Sequence, residues 1–213
     1  MAEVFGVAAS ALSVAALFNN CVDCFEYIQL IRSFGQDTEC CQLKLDVARN
    51  RLGRWGEAAA INTDPRFPTN ARDSRQVRAI LEEIALLFHT SRESSKHNFD
   101  ARPDPMARFE VKNMTPAFRK PHDQMGVIAR QRQDRTGLLN KSVWTLYNSD
   151  CDKLVEQIAR FLDDLEKLLP VETTYRKLAE LEIEELDSGG GLGGLLDAAA
   201  GADSVLYEVV VKK

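Results

Sequence analysis

From Val4 to Val22 the chain carries no charged residue, although charged residues make up 28% of the whole. It also lacks a basic excess. Its 27 Lys and Arg against 32 Asp and Glu give a net charge of −5, which argues against general nucleic-acid binding, since that draws on a positive surface. A disulfide framework is missing too: the five cysteines, Cys21, Cys24, Cys40, Cys41 and Cys151, are odd in number. The expectation is free, mostly buried thiols in a reducing, intracellular compartment. Cys21 and Cys24 have C-x-x-C spacing, but no second pair answers them and His89, His97 and His122 are scattered, so no metal site is expected. No His/Ser/Asp arrangement can be assembled, so neither an enzyme nor a cofactor is expected. The glycine-rich stretch Ser188–Gly194 is not followed by Lys-Ser/Thr and is no phosphate loop. There is no internal repeat.

What is present begins with the chargeless run itself, VFGVAASALSVAALFNNCV. As one helix it would extend roughly 28 Å, close to the thickness of a bilayer's hydrocarbon core. A secretory signal would need a basic start, and this chain opens Met-Ala-Glu. A permanent membrane span is weakly supported, because the run is rich in Ala and Ser, holds Asn19 and Asn20, and has no Lys or Arg anchor. A buried core helix fits the composition. So does a segment buried at rest and expelled into lipid on activation. Gly6 and Ser10, four apart among many alanines, permit close helix approach in either setting.

The remaining chain reads as helices. The apolar pattern after Asp23 continues to about Ser33, with a break possible at Asn19-Asn20 and a stop at Gly35. From Gln36-Asp37 a stripe of Cys41, Leu45, Ala48, Leu52 and Trp55 marks an amphipathic helix, with Lys44, Arg49, Arg51 and Arg54 on the rest of its surface. The Pro-rich stretch 61–72 is a loop, and Asp73 with Gln76 caps a helix lined by Val77, Ile80, Leu81, Ile84 and Leu87. Glu83 falls near the border of that apolar face. Phe109–Val111 suggests a short strand. Thr115-Pro116 starts a helix that Pro121 should kink or restart, and the chain reads as helical from Met125 through Trp144 to Tyr147. The strongest stripe runs from Leu154 to Leu168, and a further helix spans Thr173–Leu186. Asp150–Asp187 holds twelve acids and five bases, so it is expected to face the basic segment Arg119–Lys141, within one chain or across a homodimer. After the Ser188–Gly194 break come a short helix near Leu195–Ala200 and a β-prone end, VLYEVVVKK.

Several blocks resemble one family. They are Phe5–Leu30, CQLKLDVA (Cys41–Ala48), RLGRWGEA (Arg51–Ala58), DPRF (Asp64–Phe67), EEIALLF (Glu82–Phe88), VEQIARFLDDLEK (Val155–Lys167) and LAELEIEE (Leu178–Glu185). Together they are similar to the HeLo domain of fungal heterokaryon-incompatibility (prion-inhibition and propagation) proteins. The likeness covers most of the chain and is weakest over 96–120 and after Leu186. It implies a compact all-α, multi-helix bundle at 1–187, with a minor β-hairpin allowed, and a Gly-rich break and tail at 188–213.

The resemblance also implies a function without catalysis. In the family, templated folding of a C-terminal amyloid segment unfolds part of the HeLo domain. The N-terminal helix then enters membrane lipid, and the cell dies by leakage. Carried to this chain, the insertion residues are Phe5, Gly6, Val7, Leu12, Val14, Leu17 and Phe18, with activity controlled at Asp23, Ser33 and Glu83. The implied partners are membrane lipid and the amyloid form of a prion-domain partner. The implied location is cytoplasmic at rest and the plasma membrane when active. The amyloid segment is not among these 213 residues, so the chain is expected either to be cut before it or to be a relative without that trigger. The rival expectation is a soluble helical regulatory or dimerisation module whose first helix never leaves.

Overall fold

The computed structural model describes residues 13–31, 37–63, 71–97, 108–132, 143–169, 171–187 and 192–213. Among them are eight α-helices: α1 Val14–Cys24, α2 Asp37–Ala58, α3 Ala71–His97, α4 Pro116–Gln131, α5 Asn148–Leu168, α6 Glu172–Asp187, α7 Leu192–Ala199 and α8 Ser204–Val211. Two three-residue strands, β1 Ile28–Leu30 and β2 Trp144–Leu146, complete the fold. The all-α bundle expected from the sequence is the one found.

The axis of the bundle is α2. Its stripe of Cys41, Leu45, Ala48, Leu52 and Trp55 is buried as the spacing predicts, but so are Leu43, Val47 and Gly53 on other faces. Helices α1, α4, α5, α6 and α7 pack around it, and α3 closes the bundle against α1 and α5. Trp55 has no exposed surface, and its indole N–H donates to the Leu165 carbonyl at 3.2 Å, which satisfies its one polar atom. Thr115, at the start of α4, does not cap its own helix. Its N–H and hydroxyl both donate to the Glu39 carboxylate of α2, at 3.0 and 2.7 Å. Pro121 lies inside α4 without ending it. His122 of α4 meets Asp46 of α2 at 2.6 Å.

The strands correct two expectations. The small sheet is parallel, not a hairpin, with Ile28, Gln29 and Leu30 opposite Trp144, Thr145 and Leu146. The chain around Ile28 therefore leaves the helix after Cys24, through a 3-10 turn at Phe25–Tyr27, well before Ser33. Helix α4 stops at Gln131 and does not run to Tyr147. The β-branched and aromatic residues at both sites suit strands, but the pairing joins segments more than a hundred residues apart, which no local pattern reveals. Ile31 adds an antiparallel bridge to Arg108, and the Phe109 N–H donates to Leu30 O at 2.9 Å. The strand expected at Phe109–Val111 reduces to that contact, since Val111–Asn113 is 3-10.

Two further corrections concern the cysteines and the end of the chain. Cys41 and Cys151 form a disulfide between α2 and α5, while Cys21, Cys24 and Cys40 are free. The short helix expected near Leu195–Ala200 is α7, whereas the β-prone end is not a strand but the helix α8. Leu195, Ala198, Ala199 and Leu206 have no exposed surface, and α7 packs on α2 and α4 while α8 packs on α6. Asp203 accounts for the helix at the Val-rich end: its carboxylate accepts from the Leu206 N–H at 3.0 Å as the N-cap of α8.

Two outcomes follow. Leu206→Ala should lower stability by about 2–5 kcal/mol in urea titration, as for other buried leucines; a loose tail would give no change. For the His122–Asp46 pair, burial pulls the imidazolium pKa down, but the Asp46 hydrogen bond and charge outweigh it and raise it above 6.5. Its contribution is therefore complete below pH 6.5 and fades as pH climbs through the raised value. His122→Gln should remove that limb from a plot of unfolding midpoint against pH.

Candidate functional site: the docked N-terminal helix

Helix α1 begins at Ser13, whose extended backbone (φ −66°, ψ 160°) and side-chain oxygen, accepting from the Ala16 N–H at 3.1 Å, form an N-cap. Its buried face is Val14, Leu17, Phe18, Asn19, Cys21 and Val22. That face packs chiefly on α3, and its Phe18 reaches α2. The Phe18 ring sits 6.2 Å from Trp55, tilted by 52°. The tip of the ring approaches Gly56 so closely that a Cβ there would stand 2.2 Å from Phe18 Cζ. Phe25, just past the helix, meets Phe88 of α3 edge-on at 4.9 Å. Side chains of this size each contribute about 1.5–3 kcal/mol when fully buried.

Two buried polar side chains of α1, Asn19 and Cys21, are paired with neutral groups. Asn19, only 5% exposed, exchanges two amide hydrogen bonds with Asn62, at 3.1 and 3.2 Å. This explains why the Asn19-Asn20 pair does not break the helix: the Asn19 side chain bonds across the fold instead of competing for its own backbone. Cys21 donates its S–H to Leu81 O at 3.3 Å. Burial pushes the Cys21 thiol well up, and pushes that of Cys24 up to about 12 against a small opposing effect of Arg92. Burial thus disfavours the thiolate at both positions of the C-x-x-C pair.

Val14, Leu17 and Phe18, three of the residues named for insertion, lie on the buried face of α1. Phe5, Gly6, Val7, Leu12 and Ser33 fall outside the described residues. Asp23 is half-buried in the last turn of α1, and Glu83 is exposed on the outer side of α3, while Glu82 rather than Glu83 occupies the border and pairs with Arg78 at 3.7 Å. Among the described residues, no helix is long and apolar enough to cross a membrane.

Beneath Trp55 lies a cluster that the sequence reading placed on the surface. Arg54 has no exposed side chain. Its guanidinium grips both oxygens of Glu182 at 2.9 and 2.6 Å, donates to Asp203 at 2.9 Å, and stacks 4.8 Å from the Tyr175 ring centre. Arg132 bonds the same Glu182 and also Glu57 at 2.6 Å. Arg51 takes Glu166 bidentately at 2.9 Å, Asp163 at 2.5 Å and the Ala202 carbonyl at 3.0 Å. Burial alone would raise the Glu182 pKa, but Arg54 and Arg132 hold it below its ordinary value. Burial likewise opposes the charge on Arg54, and Asp203 and Glu182 more than restore it. The facing of basic and acidic segments is realised within the chain at Arg132–Glu182. The one available sequence signal for the rest is that Arg51 stands four residues before Trp55 and therefore shares its face.

A helical bundle with an apolar, docked first helix, whose one charge Asp23 lies in its last turn, defines the class, and the comparisons define the family. The profile of the HeLo family, described as prion-inhibition and propagation, matches residues 6–195. The chain is 46% identical over 218 residues to heterokaryon incompatibility protein s of Podospora anserina, covering all of this chain and 75% of that one. It is 45% identical, with the same coverage, to heterokaryon incompatibility protein S of that organism. A solved structure of the HET-s N-terminal domain superposes with a TM-score of 0.87 at 46% identity, covering 95% of this chain and 97% of that one. A doubly substituted form of that domain gives 0.86 at 45% identity, covering 94% and 98%. The chain belongs to the HeLo family.

The packing at Gly56 supplies a prediction. In the wild type, iodoacetamide should label half-buried Cys40 ahead of Cys21 and Cys24. Gly56→Ala crowds Phe18, and overpacking of this kind costs about 1–3 kcal/mol. Its expected result is faster labelling of Cys21 and Cys24, read by mass spectrometry, with labelling of Cys40 unchanged.

Proposed function

We propose that this chain is the dormant executor domain of a fungal heterokaryon-incompatibility system, resting in the cytoplasm and acting at the plasma membrane. The observation that carries the reading is the chargeless run Val4–Val22, whose described half is an apolar helix held by aromatic packing and one amide pair. Such a surface loses little on moving from a protein interior to lipid, whereas buried charges would make the move expensive. The trigger is the amyloid form of a prion-domain partner, which loosens the bundle until lipid is the better solvent for the first helix. Phe5, Gly6, Val7, Leu12, Val14, Leu17 and Phe18 form the inserting surface. Asp23 ends it as a polar stop, and Ser33 and Glu83 set whether the domain is competent.

The test is dye release from phospholipid vesicles as the folded chain is loosened with mild denaturant. A Lys near the centre of a spanning helix costs about 2.5–3.5 kcal/mol on insertion scales, so Leu12→Lys should abolish release while leaving helicity intact. Equal release from Leu12→Lys sinks the insertion model. No release from the wild type at any degree of loosening would favour a soluble regulatory or dimerisation module instead.

A further inference from the structure

We propose that the notch between the end of α5 and the first turns of α6 and α8 is a binding site for a primary alkylammonium group. That group is carried by a free polyamine or by a lysine side chain of a partner protein. The inference is independent of the membrane reading, because no residue of α1 takes part in it.

The notch is an open pocket of about 410 Å³, within the size range of small-molecule sites. Asp163 and Glu166 line it from α5, Glu172 and Tyr175 from α6, and Val171 and Val205 supply its apolar surface. Its charge is unbalanced. Arg51 takes one oxygen of Asp163 and both of Glu166, which leaves the second Asp163 oxygen and the Glu172 carboxylate outside that ion pair. Lys167, at the rim, bonds Asp164 at 3.4 Å. The positive ends of α6 and α8 already have acids, Glu172 in the first turn of one and Asp203 capping the other, so neither calls for an anion. Among the described residues no group of carboxylates could hold a metal ion. The cation that fits is therefore an organic one.

Acids alone would be a solvated surface. What points to a guest is Tyr175, which lines the pocket, is only 3% exposed and has a hydroxyl without a hydrogen-bond partner among the described residues. Buried polar atoms are rarely left in that condition, because nothing offsets their lost hydration. The ring is held in place by Arg54, whose guanidinium stacks 4.8 Å from its centre. Burial pushes the Tyr175 phenol well up, so it stays neutral and its oxygen accepts. An ammonium brings three donors, and the pocket offers the second Asp163 oxygen, the Glu172 carboxylate and the Tyr175 hydroxyl to receive them. The methylene stem then lies against Val171 and Val205, as the stems of long amines do on apolar surface.

The experiment is titration of the intact chain with putrescine and, separately, with Nα-acetyl-lysinamide, followed by amide NMR shifts at constant ionic strength. Saturable shifts centred on Val171–Tyr175 and Val205 are expected. Tyr175→Phe keeps the ring over Arg54 and removes only the unpaired hydroxyl, so its unfolding midpoint should hold or rise while Kd weakens. Glu172→Gln, at an exposed position, should weaken Kd as well, each by about tenfold, the worth of one hydrogen bond to a charged group. Glu156→Gln, elsewhere on α5, should bind as the wild type does. Tetramethylammonium, which has the charge but no N–H donor, should not compete. Tighter binding of putrescine assigns the site to a free polyamine, and tighter binding of the lysine derivative assigns it to a protein side chain. Shifts that never saturate, competition by tetramethylammonium, undiminished binding by Tyr175→Phe, or a fall in that variant's unfolding midpoint each overturn the site.

Discussion

Two guanidinium groups at the centre of a bundle set the terms for everything around them. A buried arginine without a carboxylate is strongly destabilising, so a helix that buries Arg51 and Arg54 must be surrounded by acids wherever the chain can bring them. They come from α5, α6 and the first residue before α8, which lie more than a hundred residues further along. That demand draws the C-terminal helices into the core, although their own sequence, with its glycines and a valine run, looks like a tail. It also orders the neighbourhood: Tyr175 lies against the Arg54 cation, and Arg132 closes the open side of Glu182. The pairing supplies specificity of arrangement, since an apolar centre of the same volume could be equally stable.

The N-terminal helix is secured in the opposite way. Its buried face offers one ring, aliphatic groups, a thiol and one amide, and its docking surface is built to match, with a glycine where Phe18 needs room. Hydrophobic and dispersion contacts are non-directional and can be rebuilt in another apolar medium, whereas a bidentate ion pair cannot. The bundle therefore has a part fixed by charge and a part fixed by shape, joined at the Arg54-Trp55 step of α2.

Much of this was legible in advance. The stripes of α2, α3 and α5, the Thr115-Pro116 helix start and the apolar first helix all follow from period and capping chemistry, which are local properties. What stayed hidden is non-local. Arg51 and Arg54 read as surface residues because arginines usually are, and only the folded partners justify their burial. Ile28–Leu30 and Trp144–Leu146 become strands because each completes the other, so neither segment alone signals it. The VLYEVVV end has β-favouring residues but becomes a helix, its start set by the Asp203 cap and its apolar face covered by α6 and α7. The disulfide between Cys41 and Cys151 is equally invisible in the spacing, because α2 and α5 must first be laid side by side.

On the proposed reading of α1 as an inserting helix, the cap at Ser13 bears on how a bilayer would be reached. A helix starting at Val14 and ending at Cys24 extends about 16 Å, enough for a single leaflet. Ser13 in extended geometry and an uninterrupted helix through position 13 are mutually exclusive backbone states. Crossing both leaflets thus demands more than carrying α1 outward as a rigid rod: one serine must surrender its capping bond and let the helical ladder grow backward through it. The Ser13 cap is then the local backbone feature that such a crossing would have to undo.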